Sequence, residues 1–151
     1  MAIPRGAYQQ VSDQTATVVA TTKNMSAGDF TTSSNSTVID IDNNEGWPTA
    51  DIVVHVESSG GAAPSGSAIE LYMTCREIFG NSNLHESDPS DTNVAGFIGS
   101  REMSGRSSQS ALFSGVPVPK GKYRLAFRVT GVAIRSGGWI KVRHTTGAPK
   151  G

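Results

Sequence analysis

The chain reads as an all-β protein, an antiparallel β-sandwich of jelly-roll type with about eight strands. Three observations lead there. Apolar and polar residues alternate repeatedly along the sequence, which turns one face of an extended segment to a core and the other to water. No window of eleven or more residues repeats apolar positions at the i, i+3, i+4, i+7 spacing of a helix. Ser and Thr are abundant beside 17 glycines and 7 prolines, and only 17% of residues are charged. That mixture suits strands joined by turns.

The clearest strand signals come first. Over 52–57, Ile52, Val54 and Val56 share one face, with His55 and Glu57 on the other. Over 69–78, Ile69, Leu71, Met73 and Cys75 alternate with Glu70, Tyr72, Thr74 and Arg76. Tyr123, Leu125, Phe127 and Val129 alternate with Arg124, Ala126 and Arg128, and Ile140 and Val142 alternate with Trp139, Lys141 and Arg143. Fainter alternation marks strands near 15–22, 36–42, 94–99 and 107–113. Gly46-Trp47-Pro48, the Ser/Gly-rich stretch 58–67 and Gly137-Gly138 break the pattern, and 58–67 reads as a flexible hairpin tip. Gly115 to Gly121, with two prolines, introduces the most regular strand.

The expected organisation is an extended N-terminal arm over 1–14, a sandwich domain over 15–146 and a flexible tail over 147–151. Residues 80–93 form a long polar loop, and loops of that length are usually functional or mobile. A chain of 151 residues suits one domain able to bury roughly 68–70% of its unfolded surface. One cysteine, Cys75, excludes an internal disulfide framework. No apolar run approaches the length of a membrane span, and the N-terminus lacks a signal-peptide pattern, so no membrane partner is expected.

Formal neutrality hides a split. Residues 1–100 hold three basic against twelve acidic side chains, a balance of −9, and residues 101–151 hold ten against one, a balance of +9. Pairing of acidic with basic strands inside one domain accounts for this as an ordinary sheet device. If strands 122–129 and 139–143 share a sheet, Lys122, Arg124, Arg128, Lys141 and Arg143 form one outward basic ladder. Such a face needs an anionic cover, and the acidic groups of the 40–57 region, from this chain or a neighbour, are the expected one.

Catalytic patterns are absent. Cys75 lies on an apolar face, where a thiol is an inert filler rather than a nucleophile. There is no Gly-x-Ser-x-Gly elbow and no phosphate-cradling motif, so neither an enzyme nor a cofactor is expected. His55, His85 and His144 lack zinc-site spacing and read as solvated or edge-strand side chains. His85-Glu86-Ser87-Asp88 could ligate a divalent ion, yet adjacent loop residues rarely point at one centre.

Asp40, Asp42, Asn44 and Asp51 are the calcium candidates. They match the first three ligand positions and the twelfth of an EF-hand loop. The match then fails, because Glu45 replaces the required glycine and Pro48 interrupts; an acidic turn is the default. Nucleic acid is not the expected partner, since basic residues are not interleaved with a stacking set. Trp47 and Trp139 can stack on sugar rings, cap the sandwich ends, or fill a partner's pocket.

Phe79-Gly80-Asn81, the Asp/Ser/Pro loop, Phe97-Ile98-Gly99-Ser100, Gly115-Val116-Pro117-Val118-Pro119-Lys120-Gly121-Lys122-Tyr123-Arg124-Leu125, Thr130-Gly131 and Ile140-Lys141-Val142-Arg143 follow one another in the second half. This series, over about 70–146, resembles small virion structural proteins of tailed bacteriophages, of the capsid-decoration (cement) type or the minor head and tail type. The resemblance implies a non-enzymatic protein of the virion, synthesised in the host cytoplasm. It implies self-association as a homotrimer and binding to the major capsid protein. The expected interface residues are Arg5, Tyr8, Trp47, Lys122, Arg124, Arg128, Trp139, Lys141 and Arg143. The alternative is a carbohydrate- or receptor-binding sandwich module of a phage tail apparatus.

Overall fold

A computed structural model describes residues 16–20, 22–75 and 96–146. Among them are nine strands: β1 (Ala16–Ala20), β2 (Thr37–Val38), β3 (Ile41–Asn43), β4 (Thr49–Glu57), β5 (Ala68–Cys75), β6 (Phe97–Glu102), β7 (Ser108–Pro117), β8 (Gly121–Thr130) and β9 (Trp139–Thr145). They form a five-stranded sheet, β2-β1-β9-β4-β7, and a four-stranded sheet, β3-β8-β5-β6. All ladders are antiparallel.

Setting aside the two-residue β2, the connectivity is that of a jelly roll. First pairs with last (β1 with β9), second with second-last (β3 with β8), third with third-last (β4 with β7), and the two middle strands with each other (β5 with β6). The chain is thus one long antiparallel ribbon wrapped around a core. Wrapping adds the ladders β4 to β9 and β5 to β8 that complete each sheet.

Alternation dictates which face enters the core. On β4, Ala50, Ile52, Val54 and Val56 are buried while Thr49, Asp51, Val53, His55 and Glu57 point outward. On β8, Tyr123, Leu125, Phe127 and Val129 are buried and meet Ile69 and Leu71 of β5. Ile140 and Val142 of β9 complete the opposite layer. Each such side chain contributes about 1.5–3 kcal/mol on removal from water. At β1 a register shift between Thr17 and Val19 lets the consecutive Val18 and Val19 both enter the core, as a bulge allows.

Three segments differ from the sequence expectation. The strand expected at 36–42 is divided: Thr37–Val38 pairs with β1 in one sheet and Ile41–Asn43 with β8 in the other. The chain turns the corner between sheets at Ile39, which is exposed, and Asp40. The 58–67 stretch is not a hairpin tip, because β4 and β5 lie in different sheets. It is a crossover pinned by main-chain bonds from Ser58 to Ser107, Ala63 to Arg106 and Gly105 to Ala63, with Ala63 buried beneath. Gly115–Pro117 belongs to β7 rather than to a turn. β7 is an edge strand, where proline's missing N–H is tolerated.

The segment at 25–36, which carries no alternation, forms an additional border of the four-stranded sheet. Gly28 and Thr31 donate main-chain bonds to Val129 and Phe127, and the Thr31 hydroxyl accepts from the Phe127 N–H. Residues 1–15, 21 and 76–95 lie outside the described residues, and with them the expected arm, the whole 80–93 loop with His85, Glu86 and Asp88, and the tail over 147–151.

Candidate interaction surface

The jelly-roll connectivity separates the residues expected to form one basic ladder. β8 lies in the four-stranded sheet and β9 in the five-stranded sheet, so Lys122, Arg124 and Arg128 face away from one side of the sandwich and Lys141 and Arg143 from the other. The expectation of a shared face is overturned by the 131–138 connection. With Gly131 and Gly137 at φ of 83° and 99°, it carries the chain between sheets instead of closing a hairpin.

Each half of the ladder still meets acidic neighbours. Arg124 donates to Asp40 at 2.5 Å and Arg128 to Glu70 at 2.5 Å. Lys122 stands opposite Asp42, and Arg143 opposite Asp51. Three of these four acids fall in the 40–57 region; Glu70 does not. Arg128 also lies over the rings of Phe30 and Tyr72, at 4.8 and 5.8 Å. Its hydrogen bond to Glu70 holds the guanidinium above its ordinary pKa. Burial, then the same carboxylate, raises the Tyr72 phenol.

The calcium candidates do not converge. Asp40 is engaged by Arg124, and Asp42 accepts the Asn44 N–H at 2.9 Å. Asp51, on the other sheet, accepts from the Gly115 N–H at 2.9 Å and the Ser114 hydroxyl at 3.1 Å. No cluster of three or more His, Cys, Asp or Glu suited to a metal occurs among the described residues. Asn43 organises the turn instead: its amide donates to the Trp47 and Pro119 carbonyls while its oxygen accepts the Trp47 N–H. The Trp47 indole N–H is bound to Glu45 at 3.0 Å. Trp47 therefore sits at one end of the sandwich, away from Trp139.

His144 departs from its expected solvated role. It is half-buried on β9, an inner strand, and shares a 2.7 Å hydrogen bond with the core phenol of Tyr123. Burial lowers its pKa, opposed by Glu45, and burial raises that of Tyr123. Cys75 closes β5 opposite Tyr123; its side chain lies outside the described set, as do Arg5 and Tyr8.

A composite surface gathered from distant parts of the chain is the outer face of β9, β4 and β7. Three cross-strand rows build it: Arg143, Asp51 and Ser114; Lys141, Val53 and Leu112; Trp139, His55 and Ser110. The Trp139 indole and His55 imidazole are stacked at 5.2 Å with 20° between planes. The Lys141 ammonium lies 4.5 Å from the indole centroid, and His55 Nδ1 is 2.8 Å from the Ser110 hydroxyl. Leu112 is 53% exposed. Cation–π and stacked contacts of this kind stiffen a flat array of side chains at small cost in mobility.

Of this face the sequence expectation contained Trp139, Lys141 and Arg143. It omitted Val53, His55, Ser110 and Leu112. The signal for Leu112 is the unbroken run Ala111-Leu112-Phe113, in which alternation forces one apolar side chain outward.

The fold and surface define a class: a jelly-roll sandwich with an aromatic and cationic outer face. No family model, curated protein or solved structure matches the chain.

Proposed function

We propose that the chain is a non-enzymatic structural protein of a tailed-bacteriophage virion, of the capsid-decoration type, that self-associates and binds between major capsid subunits to stabilise the mature shell. The observation that carries this reading is the outer face of β9, β4 and β7, in which Trp139, Lys141, Val53 and Leu112 stand together on neighbouring strands. Large aromatic and cationic side chains set among apolar ones are the composition of protein contact surfaces. A wrapped ribbon with first and last strands paired suits mechanical load, since neither end can peel without opening a central ladder. Stabilisation follows from mass action: a protein that binds only the expanded shell shifts the equilibrium toward it. The resemblance read from the turn motifs over 70–146 is the further ground for this proposal.

The test is co-sedimentation of purified protein with expanded and unexpanded capsids of the encoding phage. Selective binding to the expanded form is expected, weakened by Trp139→Ala. Equal failure on both forms overturns the reading.

A second reading draws on the stacked Trp139 and His55 rings, which offer a platform for a sugar face. In that case the chain is a receptor-binding module of a tail apparatus. A glycan array, run with and without chelator, distinguishes the two.

A further inference from the structure

We infer that the outer edge of β7, which no other described strand pairs with, is a self-pairing strand, joining two copies of this chain antiparallel across a two-fold axis into one continuous sheet. The inference rests on the self-association in the proposed function and names its contact.

Four edges occur among the described strands. β2 has 2 residues and β3 has 3, too short to template pairing. β6 carries Arg101 and Glu102. β7 has 10 residues, Ser108 to Pro117, and none is charged. Long edges without charge are the ones that recruit another strand.

The direction of the main-chain groups on β7 follows from one contact. Arg101, on β6 of the other sheet, donates its Nε–H to the Leu112 carbonyl at 3.1 Å, with its guanidinium 4.4 Å from the Phe113 ring centroid. The Leu112 carbonyl therefore points away from β4. By the two-residue period of a strand, the N–H and C=O of Ser110 and Ser108 point the same way. Phe113, Ala111 and Gln109 turn theirs to β4.

Self-pairing centred on Ser110 places Ser110 opposite the second copy's Ser110, and Ser108 opposite its Leu112, whose carbonyl holds Arg101 on one lone pair and takes the incoming Ser108 N–H on the other. No like charges face each other, and Leu112, 53% exposed, gains a neighbour. Antiparallel pairing also brings the beginning of one β7 to the end of the other. Exposed Arg106 precedes the beginning. At the end, the Asp51 carboxylate reaches across from β4 to bond Ser114 and Gly115. The pairing thus sets Arg106 of each copy beside Asp51 of the other, whereas Glu57 stays one strand back from the seam.

Sedimentation velocity on the full chain over a concentration series tests this. A reversible dimer is expected. Ser110→Pro removes the outward N–H while leaving the main-chain bonds from β7 to β4, and Leu112→Lys sets a charge diagonally beside the second copy's exposed Arg106. Each should weaken dimerisation by about tenfold or more, with circular dichroism unchanged. Should Ser110→Pro fail to fold, Leu112→Lys alters only an exposed side chain and stands alone. A monomer at all concentrations, a mass of three chains, or a dimer indifferent to a folded variant overturns the contact. Capsid binding on the same samples separates the two proposals. A monomer that binds expanded capsids overturns only the β7 contact; a β7 dimer that binds no capsid overturns only the decoration reading.

Discussion

Tyr123 and His144 join the two sheets through a 2.7 Å hydrogen bond inside the sandwich. One sits on β8 and the other on β9, so the bond spans the layers near the turn that carries Glu45 and Trp47.

This pair makes stability depend on pH. Burial lowers the folded-state pKa of His144, with Glu45 opposing. The unfolded chain then takes up the proton first, near the ordinary value of about 6.5, and the folded chain only at lower pH. The contribution of neutral His144 is complete above that ordinary value and is lost as pH falls from it toward the folded pKa. Urea midpoints between pH 8 and pH 5 should decline, and His144→Gln should flatten the part of the decline that lies in this window. An unchanged slope in His144→Gln refutes the assignment.

The two half-buried ion pairs should differ in what their removal costs. Asp40→Asn and Arg124→Gln in a double-mutant cycle should give a coupling of about 0.5–1 kcal/mol that shrinks in high salt. Arg128→Gln should cost more than the loss of its Glu70 pair alone, because the guanidinium also covers Phe30 and Tyr72. Chemical denaturation at low and high ionic strength measures both.

Gly131 is required by its conformation and its surroundings. Its φ is +83°, and an added Cβ would lie 2.8 Å from the Ser67 hydroxyl and 3.1 Å from Ser67 Cα. Ser67 is fully buried, and that hydroxyl has no hydrogen-bond partner among the described residues. Gly131→Ala should therefore destabilise the fold by about 1–3 kcal/mol. Gly28→Ala, at φ +86° with nothing within 4 Å, should show the conformational part alone. Thermal midpoints of the two variants separate strain from crowding.

The outer face of β9, β4 and β7 should be functionally separable from the core. Trp139→Ala and Lys141→Glu should reduce capsid binding by about tenfold or more while shifting the unfolding midpoint little, since both side chains stand outside the sandwich. Hot-spot side chains commonly cost 2 kcal/mol or more on truncation, as an order of magnitude. A binding curve unchanged by either substitution removes this face from the proposal.

Strand identity was legible wherever alternation was long. The inward sets of β4, β5, β8 and β9 are dictated by a two-residue period, because a shift of one residue would expose every apolar side chain. The acidic first half and basic second half were likewise readable as a demand for cross-strand pairing, and Asp40, Asp42 and Asp51 meet it. Phe30 and the 25–36 border were not legible, since isolated main-chain bonds to β8 leave no periodic trace. The linear spacing of Asp40, Asp42, Asn44 and Asp51 says nothing about the corner at Ile39 and Asp40, beyond which Asp42 joins one sheet and Asp51 the other.

What the sequence alone determined about this protein is local: that it forms strands, which faces are buried, and that opposite charges must meet. Which strand lies beside which was decided only by the tertiary wrapping. Alternation is indifferent to partner, so β8 and β9 could equally have formed a hairpin with one basic face. The core admits the ribbon in a different way, with β9 between β1 and β4 and with β8 between β3 and β5. That placement divides the basic residues between two surfaces and gathers Trp139, His55, Lys141 and Leu112 from distant parts of the chain onto one.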